Sequence, residues 1–79
     1  MSGDPYLVRW TDHALVKAGM LGFPRADVEE ALLQHHHARQ RNQGAAGWRV
    51  TVGRIVIVYD HPDQGDPSTA RLVTLWRRR

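Results

Sequence analysis

The stretch WRVTVGRIVIVY, Trp48 to Tyr59, constrains the fold of this chain more than any other. Trp48, Val50 and Val52 alternate with Arg49 and Thr51, the period of two that gives a strand one apolar and one polar face. Gly53 and Arg54 leave room only for a tight turn, so the strands on either side must form an antiparallel hairpin. Ile55 to Tyr59 is apolar throughout, which suits a central strand covered on both faces.

The remaining elements follow from periodicity and punctuation. Tyr6, Val8 and Trp10 alternate with Leu7 and Arg9, predicting a short strand. Thr11 or Asp12 is placed to cap a helix running to Leu21, and Gly22 is a natural stop. Phe23-Pro24 opens a second helix, with Asp27, Glu29 and Glu30 early, where the helix dipole favours acids. Val28, Ala31, Leu32 and His35 recur at helical spacing and predict one buried stripe. His36 to Gln43 is polar and basic, a frayed edge strand or a loop, and Gly44 and Gly47 bracket a turn. Asp60 to Ser68 reads as a loop punctuated by Pro62, Gly65 and Pro67. ARLVTLW closes the sheet, and Arg77, Arg78 and Arg79 form a basic tail. The expected fold class is α+β, one domain over residues 1–79. Two helices pack on one face of a small antiparallel sheet of three to five strands, in the order β-α-α-β-β-β. The other face is then solvated or used.

Composition narrows the function classes. With 79 residues and 42% hydrophobic content the chain can build one modest core and is not a disordered segment. No apolar run approaches the roughly 20 residues a bilayer helix needs, so no membrane partner is expected. No basic start leads into an apolar secretory region, and cysteine is absent, which removes disulfides and thiolate chemistry and fits a cytoplasmic address. The net charge of +3 suits an anionic partner. Most of the positive charge is arginine, whose planar fork matches phosphate, although a GC-rich genome produces the same bias. His35, His36 and His37 are consecutive and cannot share a face, so neither a metal nor another cofactor is expected.

The period-two pattern also predicts a surface. If Trp48, Val50 and Val52 face the helices, Arg49 and Thr51 point to the open face. If Val73 and Leu75 also face inward, Thr74 and Trp76 join that patch, and a register slip of one residue would invert the arrangement. His13 follows the first helix cap, and Lys17 comes one turn later on the same stripe, together with Val16 and Met20. An imidazole there either serves as an acid/base group or phosphate donor, or pins the helix to the sheet. Arg54 and Arg71 flank the same strands as steering charges or ordinary rim charges. His61 is a candidate second acid/base group, and Tyr59 reads as core or as a structural hydrogen-bond donor.

HALVK, then Gly22, then ADVEEAL, resembles the start of a family of small bacterial proteins of unassigned function. Their signature is His-Ala-x-x-Arg, Arg-Gly-Ile, then a helix containing Asp-Val. GRIVIVY and RLVTLW are similar to the family's glycine-bounded hairpin and its closing Val-Thr strand. The family is in turn similar to the RelE/ParE toxin superfamily, whose small sheets belong with the barnase, EndoU and colicin ribonucleases. The likeness spans Trp10 to Trp76: His13, Ala14, Gly22, Asp27, Val28 and Thr74 match, whereas Lys17 stands in place of one arginine and Leu21 in place of another. The resemblance implies a toxin-like RNA-binding protein and metal-independent endoribonuclease leaving 2′,3′-cyclic phosphate ends. His13, Arg49 and Thr74 would be catalytic. Lys17, Thr51, Arg54, Arg71 and Trp76 would hold the substrate. It further implies RNA as partner, free or on the ribosome, and a cognate antitoxin; a homodimer is compatible with both. The alternatives are a non-catalytic nucleic-acid-binding or regulatory module, or a ParE-like topoisomerase poison.

Overall fold

The structure, a computed structural model, describes residues 5, 7–42, 47–62 and 66–78. Tyr6, Gln43, Gly44, Gly65 and Arg79 lie outside the described residues. Along the chain come β1 (Leu7–Trp10), α1 (Asp12–Leu21), α2 (Arg25–His35), a 3-10 turn at His36–Ala38, β2 (Gln40–Arg41), β3 (Trp48–Val52), β4 (Ile55–Asp60) and β5 (Thr69–Arg77). The fold is α+β in the expected element order. The five strands form one sheet in the order β1-β5-β4-β3-β2.

The hairpin is the centre of the sheet. Trp48 pairs with Tyr59 and Val52 with Ile55. Gly53 takes φ +60° while Arg54 keeps a negative φ, the sign pattern of a turn whose twist matches the flanking strands. β4 is the middle strand, and Val56, Ile57, Val58 and Tyr59 are all buried, Ile57 and Tyr59 in the core under the helices and Val56 and Val58 between side chains of the neighbouring strands on the face the helices leave uncovered. On the helix side, Ala14 and Ala18 of α1 and Val28 and Leu32 of α2 meet Val50, Ile57, Tyr59, Leu72 and Leu75. Two alanines one turn apart let α1 lie close against β5.

Three details differ from the sequence pattern. β1 pairs with β5 in parallel, Leu7 opposite Thr69 and Trp10 opposite Leu72, so the sheet is mixed. The two strands stand far apart in sequence, and no short turn dictates their direction. The pairing of β4 with β5 also slips between Val58 and Tyr59, because Thr74 pairs with Val58 and Leu72 with Tyr59. Val73 is therefore the extra residue of a bulge, and Leu72 rather than Val73 joins Leu75 in the core. Finally, His35 is exposed, because α2 ends there, beyond the part of its stripe that meets the sheet.

Both ends of α1 are closed by local chemistry. The Thr11 side chain accepts from the Ala14 N–H. At the other end Gly22 takes φ +77°, its N–H donates to the Gly19 carbonyl at 3.3 Å, and the Phe23 N–H donates to the Ala18 carbonyl at 2.9 Å. That pair of bonds is the glycine-dependent helix stop, with Phe23 folding back toward the core. Arg77 adds a cation there, donating from Nη2 to the Leu21 carbonyl at 2.9 Å and lying 5.4 Å over the Phe23 ring. A Cβ on Gly22 would meet nothing within 4 Å, so only backbone strain opposes it. Gly22→Ala is expected to cost about 1 kcal/mol in denaturant unfolding, without change in the slope of the transition.

Candidate functional site

The site begins where β1 becomes α1. The Thr11 N–H donates to the Leu72 carbonyl at 3.2 Å, and its hydroxyl lies 2.9 Å from that oxygen and 3.1 Å from the Val73 carbonyl. The bulge at Val73 thus receives the residue that caps the helix. β1 stops opposite Leu72, and α1 takes over beside the second half of β5, reaching Arg77 at its far end. A helix in this position borders the sheet's edge, and its side chains can reach round it. His13 does so: its Nε2 sits 3.0 Å from Thr74 Oγ1 in an exposed pair. A threonine hydroxyl both donates and accepts, so the ring can hold this bond as neutral imidazole or as imidazolium.

Strand register extends that pair into a row. Thr74 stands opposite Val58, and Val58 opposite Arg49. Paired residues share a face, so Thr74 and Arg49 flank Val58 on the uncovered side, about 10 Å apart across two strand spacings. Arg49 Nη2 donates to Gln40 Oε1 at 3.3 Å, which carries the row to β2. Trp76, Val56 and Thr51 form the next row on the same face. Val56 and Val58 are buried there, at 7% and 3% exposure, whereas Trp76 is 38% exposed. The indole and the arginine stem are thus flanking cover for the two valines and also a surface open to solvent.

Of the residues singled out from sequence, His13, Arg49, Thr51, Thr74 and Trp76 are brought together. Lys17 stands one turn, about 6 Å, further along the stripe that carries His13. Arg54 and Arg71 flank these rows toward opposite ends of the sheet, Arg71 on the same face as Thr74. Arg54 lies in the hairpin turn, where its carbonyl accepts from the Arg78 N–H at 2.6 Å. Arg71, towards the opposite end, makes a two-pronged pair with Asp60 at 3.0 and 2.8 Å, which raises the arginine's already high pKa. His61 is also remote from His13. Its Nδ1 meets the Thr69 carbonyl at 2.9 Å, and Thr69 lies five residues, roughly 16 Å of strand, before Thr74. Among the described residues no three His, Asp or Glu side chains are grouped to hold a metal, and no helix is long and apolar enough to cross a membrane. Comparison with known protein families, curated proteins and solved structures finds no match for this chain.

Sequence patterning missed one cluster altogether. Arg39 and Arg41 both lie over the Trp48 ring, at 4.0 and 4.9 Å from its centroid. They border an open cleft of about 720 Å³ that Asp60, His61 and Arg71 also line. Basic residues around position 40 and a tryptophan near 48 were visible in the sequence, but nothing local indicated that they stack.

Tyr59 is fully buried; among the described residues its hydroxyl makes no well-formed hydrogen bond, although the Arg39 guanidinium stands beside it. Burial pushes its pKa above the ordinary value near 10, with the neighbouring Arg39 guanidinium opposing the rise. In the unfolded chain Tyr59 loses its proton near pH 10, while the folded state retains it to higher pH. Above that point the native protein binds more protons than the unfolded one, so stability falls as pH rises. Tyr59→Phe should leave stability at pH 7 unchanged or slightly higher, because an unsatisfied hydroxyl is removed. It should also flatten the alkaline part of a stability-against-pH curve measured by urea unfolding.

Proposed function

We propose that this chain binds single-stranded RNA along the uncovered face of its sheet and cleaves it without a metal, with His13 as the acid/base group. The observation that carries the proposal is the exposed His13–Thr74 pair, set in one row with Arg49 and beside Trp76. In this chemistry the 2′-hydroxyl oxygen bonds to the adjacent phosphorus, the bond to the 5′-oxygen breaks, and a 2′,3′-cyclic phosphate and a free 5′-hydroxyl result. One proton leaves the attacking oxygen and one reaches the departing oxygen, and imidazole can carry either near neutral pH. A guanidinium offsets the charge that builds on the phosphoryl oxygens, a task for Arg49. Trp76 offers a stacking face for a base, and Thr51 and Thr74 offer hydroxyls. Lys17 adds charge at the helix margin. The resemblance to RelE/ParE toxins supports the same chemistry, with an antitoxin covering the face and a ribosome presenting the strand.

A second reading has its own support. The His13–Thr74 bond also fastens α1 to β5 beyond the end of β1, a structural task. A protein using His13 only in that way would bind RNA and leave it intact.

Labelled RNA incubated in EDTA distinguishes the two. The expected result is product with 2′,3′-cyclic ends, lost at least about 100-fold in folded His13→Ala and to a similar extent in Arg49→Ala. Trp76→Ala should weaken RNA affinity by about 1–3 kcal/mol, with Trp76→Phe recovering most of it. Undiminished cleavage by folded His13→Ala would defeat the catalytic assignment, and salt-sensitive binding with no product at all would favour the non-catalytic module.

A further inference from the structure

A second basic site lies toward the end of the sheet where β3 starts and β4 finishes. Trp48 opens β3, Asp60 closes β4, Arg71 stands near the start of β5, and His61 follows β4 directly. Together with Arg39 and Arg41 they line the cleft of about 720 Å³.

The charge there is not balanced. Among the described residues Asp60 is the acid in the lining, and Arg71 already holds both of its oxygens; Asp66, whose charge is felt at His61, accepts from the Ser68 N–H. Among the described residues neither Arg39 nor Arg41 has a carboxylate partner. Both guanidinium groups lie over the Trp48 ring, a contact that uses up no N–H donor; Arg39 also stands beside the Tyr59 hydroxyl, and Arg41 is exposed.

His61 adds an observation of a different kind. A carbonyl can only accept, so Nδ1 must carry the hydrogen that points at Thr69. That leaves Nε2 as the lone-pair nitrogen of the neutral ring, and this buried atom has no hydrogen-bond partner among the described residues. The Tyr59 ring packs edge-on against the His61 ring, 5.9 Å between centroids, and its buried hydroxyl stands beside the Arg39 guanidinium. Buried polar atoms are rarely left unsatisfied, and this ring nitrogen beside guanidinium groups that hold no carboxylate describes a site for an anion.

We propose that this cleft is a phosphate-binding site, distinct from the rows of Thr74 and Trp76, in which Arg39 and Arg41 grip the phosphoryl oxygens and His61 Nε2 makes a further bond. Nε2 accepts from a protonated phosphate oxygen or, once the ring is charged, donates to a bare one. The phosphate can belong to a free phosphorylated molecule or to a nucleic-acid strand.

The test follows the Trp48 indole and His61 ring resonances of isotope-labelled protein during titration with inorganic pyrophosphate and, separately, with a short oligouridylate. Saturable shifts at both residues are expected, with affinity reduced about tenfold or more in the Arg39→Gln, Arg41→Gln double variant. Arg41→Gln alone, at an exposed position, gives the same comparison if the double variant does not fold. Shifts with pyrophosphate assign the site to free phosphorylated ligands. Shifts with oligouridylate alone assign it to a strand. No shift with either ligand, or shifts that both variants leave unaltered, overturns the site. His13→Ala is expected to retain cleft binding in full, so failure of RNA cleavage and failure of this site are read independently.

Discussion

Thr11 joins the parts of this structure. Its hydroxyl oxygen caps α1 through the Ala14 N–H while sharing its own hydrogen between the Leu72 and Val73 carbonyls. The cap and the strand contact use the same atom, so the start of the helix cannot move without leaving the bulge. Once that junction is set, His13 falls beside Thr74, because two residues of helix and two of strand run on from the same point. The bulge contributes as well. With one residue extra in β5, Leu72 and Leu75 both point into the core and Thr74 keeps its place on the uncovered face.

Packing explains why α1 can carry polar side chains at all. Its inward stripe is Ala14 and Ala18, both almost fully buried. The larger residues His13, Val16, Lys17 and Met20 are left to the outer side and the margin, with Val16 and Met20 60% and 75% exposed. α2 supplies the bulkier core residues, Val28 and Leu32, over the middle of the sheet. Trp10 ties the layers together, donating from Nε1 to Glu29 at 2.7 Å while Arg25 lies 5.7 Å over its ring. One helix fills the core and the other serves the edge.

The arginines divide by task in a way their number does not reveal. Arg71 is spent on Asp60 and Arg77 on the last carbonyl of α1, and Arg39 and Arg41 lie over an indole ring. Each arrangement uses the planarity of guanidinium, which lysine cannot reproduce. Arginine therefore has a structural use here beside any codon bias. The basic groups of the molecule form two regions, one on the uncovered face around Arg49 and the other in the cleft around Trp48.

The amino-acid sequence by itself determined what depends on neighbours in the chain. The hairpin around Gly53, the α1 span between Thr11 and Gly22, the start of α2 after Pro24 and the sharing of a face by Arg49 and Thr51 were all legible, because periodicity, caps and turns act over a few residues. The placement of Thr74 and Trp76 with them was inferred correctly although Val73 did not turn inward, since the bulge shifted the pattern at one position only. Tertiary structure alone decided the parallel partner of β1, the bulge at Val73, the exposure of His35, the distance between His61 and His13, and the stacking of two arginines on Trp48. Each depends on residues far apart in the chain meeting in space, and their pairing energy is set by packing and register that no local pattern encodes.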